Sequence, residues 1–185
     1  MEETFRMIGL PMLEAGDYRL RPFRASDLEM IREASTDSHI PAITTVPAVF
    51  TEDAGRGFID RQLNLARPVR ALALAVRDTD RAIGCVALVL RDLDEGHVSI
   101  GYWVVSSARG RGAAARGLVA MSRWAAIELR IPRLQVYVEP WNIASTRTAE
   151  AAGFTREGLL RGWQMVGDER RDMFMYSLLA SDLHV

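Results

Sequence analysis

Residues 98–105, Val-Ser-Ile-Gly-Tyr-Trp-Val-Val, are apolar at nearly every position and run directly into Ala108-Arg109-Gly110-Arg111-Gly112. An apolar run of that length predicts a strand buried on both faces at the centre of a sheet. Beyond the glycines, Leu118, Met121, Ala125 and Leu129 fall on one face of a helical pattern over 113–129, while Arg116, Arg123 and Arg130 recur every seven residues on another. That spacing predicts an amphipathic helix lying on the sheet. A central strand, a glycine turn and a covering helix are the unit that the rest of the chain must accommodate.

The flanking segments do not repeat this unit. Residues 18–23 alternate apolar and charged side chains as a strand does, and Pro22 marks an edge or an end. Ser26 or Asp27 caps a helix through Ala34. Residues 36–50, with Pro41 and Pro47, read as a loop. Thr51 and Asp53 open a second helix to about Ala66, which Pro68 stops. Strands at 70–77 and 82–90 are joined by the tight polar turn 78–81, a hairpin, and 92–96 is a further turn. After the long helix come a strand at 134–138, a helix at 143–152 stopped by Gly153, and a closing hairpin, 155–163 and 171–179, turning at 167–169. Only the middle has βαβ character, so the expected fold is α+β around a mixed sheet. Residues 1–17 read as a lead-in, and 185 residues suit a single domain, 1–185.

Charge and composition remove several classes. The net charge is −1 and the pI about 6.3, without the positive excess that phosphate neutralisation of a nucleic acid needs. All 23 basic residues are arginine, which reads as the mark of a GC-rich, bacterial genome. The one cysteine, Cys85, excludes an internal disulfide and sits in the apolar stretch 83–87 as an inert buried thiol. The N-terminus is acidic and has no apolar core of a signal peptide, and no run reaches membrane-spanning length. A cytoplasmic location, no membrane and no nucleic-acid partner are the expectations. His39 and His184 stand in no metal-ligand spacing, so no metal is expected.

Chemistry is concentrated in residues 109–114. Glycines let the backbone approach a ligand closely. The N–H groups of a helix's first turn, unpaired within the helix, then form an anion site suited to a pyrophosphate. Arg109, Arg111 and Arg116 are placed to add charge-assisted contacts. A tight strand–helix connection with solvated arginines is the plainer reading of the turn alone. A dinucleotide fingerprint is a third, since Gly110-x-Gly112-x-x-Ala115 fits its form and Glu139 ends the next strand. Against that fingerprint, the unit follows antiparallel hairpins and no further βα units come after it.

Taken in order, these motifs resemble the GCN5-related N-acetyltransferases, and within them the branch similar to ribosomal-protein N-terminal acetyltransferases. Arg109, Gly112 and Ala114 match the family's Gln/Arg-x-x-Gly-x-Gly/Ala pattern. Ile100-Gly101-Tyr102-Trp103 matches the branch's Ile-Gly-Tyr-Trp, Asn142-x-x-Ser145 its Asn-x-x-Ser, and Gly153-Phe154 with Gly158 the Gly-Phe-x-x-x-Gly downstream. Asp172 and Tyr176 also fit. The resemblance spans roughly 18–180.

It implies a twisted, mostly antiparallel sheet in which a bulge at 104–105 splays the strand 98–105 from 134–138, and acetyl-CoA entering the gap as co-substrate. Backbone groups of Trp103, Val104 and Val105 would bind its pantetheine arm, and an N–H of Val104 or Val105 would polarise the thioester. Arg109, Gly110, Arg111, Gly112, Ala113 and Ala114 would hold the pyrophosphate, and Asn142 the arm. Many relatives place a tyrosine where this chain has Ala149, so Ser145 is the implied group for the leaving thiolate. Some carry a glutamate at Ser99; here His97, acting through water, and Glu139 are the candidate bases, each also readable as a solvated turn residue. Substrate contacts would come from the 36–50 loop and the 163–172 hairpin. The implied partner is an amine on a protein, peptide or small molecule. Homodimers are common in the family, with no interface marked locally here. The missing tyrosine and glutamate leave a second reading open, an acetyl-CoA-binding regulatory domain with weak turnover.

Overall fold

In the computed structural model, residues 8–183 are described. Eight strands form one mixed sheet: β1 (Leu13–Ala15), β2 (Tyr18–Arg21), β3 (Val69–Val76), β4 (Ala82–Val89), β5 (His97–Val104), β6 (Arg133–Val138), β7 (Thr155–Val166) and β8 (Glu169–Leu179). Their order across the sheet is β1-β2-β3-β4-β5-β6-β8-β7. Every neighbouring pair is antiparallel except β5 and β6, which run parallel. The helices are α1 (Leu28–Ser35), α2 (Ile40–Ile43), α3 (Glu52–Leu63), α4 (Ala113–Arg123) and α5 (Ile143–Ala151). A parallel neighbour demands a crossover, and α4 supplies it.

Local chemistry sets the ends of these elements. Thr51 caps α3 by accepting the N–H of Ala54 at 3.1 Å, with Glu52 and Asp53 in the first turn where the helix dipole favours them. α4 presents Gly117, Leu118 and Met121 to the sheet. A Cβ at Gly117 would stand 3.0 Å from Val86 and 3.2 Å from Leu74, so this helix lies almost on the strands. Val86 is the register partner of Tyr102, which puts Tyr102 on the same, α4-covered face of the sheet. Fully buried Arg21 is satisfied by a bidentate pair to Asp27, at 2.8 and 2.9 Å, and by Asp80 at 2.9 Å, which fastens the end of β2 to the β3–β4 turn.

Four features depart from the sequence reading. The lead-in contains β1, whose residues pair with β2 from Leu13↔Leu20 to Ala15↔Tyr18. The 36–50 loop contains α2. The long helix changes at Trp124–Glu128 to a π turn. Most consequentially, β5 carries no bulge at 104–105, because its ladder with β4 is unbroken from Ser99 to Val104. The extra residue is Ile83 of β4. β3 pairs Leu74 with Gly84 but Ala75 with Ala82, which skips it. A bulge bends and twists its strand, and this one lies against the end of β5.

Gly84, next to the bulge, faces the backbone of β5 so closely that a Cβ would stand 2.3 Å from the Trp103 carbonyl oxygen and 3.1 Å from the Val104 Cα. No side chain fits there unless β5 moves. Gly84→Ala is expected to destabilise the fold by about 1–3 kcal/mol, read as a lowered urea midpoint. A midpoint equal to that of the parent chain would contradict this packing.

Candidate active site

The parallel pair parts early. β5 and β6 match only at His97↔Arg133, Val98↔Leu134 and Ser99↔Gln135, and among the described residues Ile100–Val104 have no ladder partner on the β6 side. Hydrogen-bond direction along β5 then decides what the gap offers. The Val105 N–H donates to the Ile83 carbonyl at 2.9 Å, so that position faces β4. Antiparallel pairing alternates: Trp103, opposite Cys85, also turns its backbone groups to β4, while Tyr102 and Val104 turn theirs into the gap. The expectation for 103–105 is corrected accordingly. Val105 has already spent its N–H, and the donors facing the gap belong to Tyr102 and Val104.

At the open end of the gap, Gly110 and Gly112 adopt φ of +78° and +73°, the left-handed region that glycine enters without strain. A Cβ on either would meet nothing within 4 Å, so the cradle has room above it. The first helical bond closes from the Arg116 N–H to the Gly112 carbonyl at 3.1 Å. The N–H groups of Ala113, Ala114 and Ala115 are therefore left at the N-terminus of α4 for a ligand. Its arginines divide. Arg111 is exposed. Arg116 is paired with Asp17. Arg109 is built into the frame: its Nε donates to the Val104 carbonyl at 2.9 Å and its Nη2 to Asp37 at 2.6 Å. Behind the turn, Glu33 accepts the Ser107 N–H and hydroxyl, each at 2.9 Å, and the Ser106 hydroxyl at 3.2 Å. Partial burial pushes the Glu33 pKa up, but those donors outweigh it and the net value is lowered.

On the α4 side of the gap, the Tyr102 hydroxyl lies 2.8 Å from Ser145 Oγ and 3.1 Å from the Ser145 carbonyl. Burial pushes the Tyr102 phenol to about 12, a rise only partly offset by the Ser145 bond. It therefore stays protonated at neutral pH. Asn142 caps α5, its Oδ1 accepting the Ser145 N–H at 3.0 Å. Asn142 and Ser145 thus come together with a third residue, Tyr102, which the sequence reading placed in the Ile-Gly-Tyr-Trp pattern without assigning it a role. The available signal was a tyrosine in a buried strand, whose hydroxyl needs a partner.

The opposite face carries a second cluster. Glu139, just past β6 and 6 % exposed, accepts the Trp141 Nε1–H at Oε2 over 2.8 Å. Its Oε1 stands 3.3 Å from His39 Nε2. The His39 ring meets Trp141 edge-on with centroids 4.9 Å apart. Asp37 accepts the backbone N–H groups of His39 and Ile40 at 2.8 and 2.9 Å. Burial raises the Asp37 pKa, but those two donors and Arg109 more than reverse it, leaving the value lowered. The Gly167 N–H donates to the Ala42 carbonyl at 3.3 Å, joining the 36–50 loop to the hairpin turn. His97 lies instead at the closed end of the pair, 3.9 Å from Asp92. Cys85 is buried, and burial pushes its thiol to about 12. Among the described residues no group of three His, Cys, Asp or Glu could hold a metal, and no helix is long and apolar enough to cross a membrane. His184 lies outside the described residues.

The chain is similar to known proteins in sequence and in fold. The chain is 24% identical over 162 residues, 86% of this chain and 91% of the relative, to the uncharacterized N-acetyltransferase p20 of Bacillus licheniformis. Similar solved structures include the microcin C7 self-immunity acetyltransferase MccE in complex with acetyl-CoA and AMP (TM-score 0.77, 20% identity, 89% of this chain and 94% of that one). The ribosomal-protein-S5-alanine acetyltransferase of Vibrio fischeri is another (TM-score 0.75, 17% identity, 95% of this chain and 100% of that one). The family model described as an acetyltransferase (GNAT) domain matches residues 18–155, a span that includes the parted β5–β6 pair and the glycine cradle, and the chain belongs to the GNAT acetyltransferase family.

Proposed function

We propose that this chain moves an acetyl group from acetyl-CoA directly to an amine nitrogen, with the reaction centred in the β5–β6 gap. One observation carries the reading: Tyr102 and Val104 present backbone groups to a gap that opens onto the unpaired N-terminus of α4. A pantetheine arm, which carries amides of its own, can take the place of a missing strand there. Gly110, Gly112 and the N–H groups of Ala113, Ala114 and Ala115 would hold the pyrophosphate, with Arg111 free to approach from solvent. The bound thioester supplies an activated acetyl group, and the protein's own groups orient and polarise it.

Val104 N–H is fixed by the β-ladder and so stabilises charge developing on the thioester oxygen without reorganising. The NH2 group of Asn142 would steady the arm. Ser145, held by Tyr102, donates a hydrogen bond to the departing sulfur. A phenol near 12 yields its proton far less readily than a thiol near about 8.5. The pair therefore stabilises the thiolate by hydrogen bonding and does not protonate it. Among acceptors, an α-amine with a pKa of about 8 is already partly neutral at pH 7, and the likeness in fold to a ribosomal L7/L12 alpha-N-protein acetyltransferase supports the same acceptor class. The 36–50 loop and the hairpin turn would form the acceptor's walls.

Gly112→Trp would fill the open cradle, and is expected to weaken acetyl-CoA binding by at least about 100-fold in calorimetry; unchanged affinity in a folded variant contradicts the site. Ser145→Ala is expected to lower kcat by roughly 10- to 100-fold, the worth of one hydrogen bond to a charged group, while the Kd for acetyl-CoA stays within about twofold. An unaltered kcat would remove Ser145 from the reaction.

A further inference from the structure

The positions where relatives carry an acid or base, Ala149 and Ser99, are inert here, and His97 lies at the closed end of the gap. The cluster on the other face of the sheet has the parts of a base. Buried Glu139 holds one carboxylate oxygen on Trp141, while the other, Oε1, has no hydrogen-bond partner and faces His39 Nε2 at 3.3 Å. A buried carboxylate oxygen left unpaired is costly, and a small rotation of the imidazole satisfies it. Such pairs are commonly loose before substrate is present.

We propose that His39 is the general base that takes a proton from the acceptor's ammonium group, and that Glu139 is its positioning residue. This rests on the acetyltransfer reading and deepens it. With Nε2–H turned to Glu139, the basic lone pair of the ring is on Nδ1. Trp141 holds the ring edge-on, and Asp37 fixes the backbone of His39 from the other side. The charged groups around the imidazole are Glu139 at the end of β6, Asp37 in its own loop, and Arg109 behind Asp37.

The two faces of the gap divide the chemistry. Register and alternation put Trp103 and Tyr137 on one face and Tyr102, bonded to Ser145, on the other, and Glu139 follows directly after the end of β6. An amine arriving from the His39 side attacks while sulfur departs toward Ser145. In the step, the ammonium gives one proton to His39 Nδ1, and the nitrogen lone pair forms the N–C bond as the carbonyl π pair moves to oxygen. When the C–S bond breaks, its pair leaves on sulfur and the new amide nitrogen loses its second surplus proton. One of the two protons ends on the thiol and the other passes from His39 to water.

The test uses the full chain with acetyl-CoA and a panel of peptides with free N-terminal serine or alanine, together with alkyl diamines. For the best acceptor, His39→Gln is expected to lower kcat/KM about 100-fold or more at pH 7. The deficit should shrink to about threefold by about pH 9.5, where an amine of pKa near 8 has shed its proton, and the Kd for acetyl-CoA should hold. Glu139→Gln removes the negative charge that faces the imidazole, so the acid limb of the pH profile of kcat/KM should move to lower pH; a role in packing alone would lower the profile without moving it. His39→Gln equal to the parent at pH 7, or equally impaired at both pH values, overturns the base. An acid limb that stays in place in Glu139→Gln overturns its positioning role. Failure of the parent chain to acetylate any amine in the panel overturns the acetyltransfer reading itself.

Discussion

The Val105 N–H bonded to the Ile83 carbonyl is the interaction on which the site depends. It fixes the phase of hydrogen bonding along β5, and by alternation the phase decides that Tyr102 and Val104 look into the gap. The bulge at Ile83 and the absence of a side chain at Gly84 bring β4 against β5 at the place where β5 has left β6. A ladder one residue out of phase would turn the wrong carbonyls and amides inward and send Tyr102 to the wrong face.

A second set of bonds joins the glycine turn to the 36–50 loop. Arg109 touches the Val104 carbonyl and Asp37 at once, and Asp37 fixes the backbone that carries His39. Glu33 performs a similar task from α1, gripping Ser106 and Ser107 before the glycine turn. The glycine turn and the 36–50 loop thus share a guanidinium. An arginine whose sequence position suggests a free phosphate ligand serves as much to hold the walls of the gap in register. Its planar fork suits it to two partners at once.

Much of the fold and site was legible in the sequence, for identifiable reasons. The apolar run at 98–105 and the glycines after it reflect local constraints, apolar packing and positive φ, and they led to the strand and the parallel crossover; burial on both faces holds only toward the end of β5, since His97 and Ser99 are half-buried and Gly101 is exposed. Asn142 and Ser145 were singled out by the resemblance, through its Asn-x-x-Ser pattern, and in the structure the Asn142 Oδ1 accepts the Ser145 N–H at the start of α5. The bulge was assigned to the wrong strand because its location depends on pairing between β3 and β4, which no local pattern records. β1 was missed because three residues make too short an alternation. His39 was passed over because its partner is 100 positions away in sequence, and only the end of β6 brings Glu139 to it.

The central claim concerns which amides of β5 face the gap, and hydrogen exchange resolved by residue tests it most directly. In the chain without ligand, the Trp103 and Val105 amides should be protected by β4 while that of Val104 exchanges readily; saturating acetyl-CoA should slow Val104 by about tenfold or more and leave the other two unchanged. A Val104 amide as protected as Trp103 before ligand is added, and indifferent to it afterwards, would contradict the account.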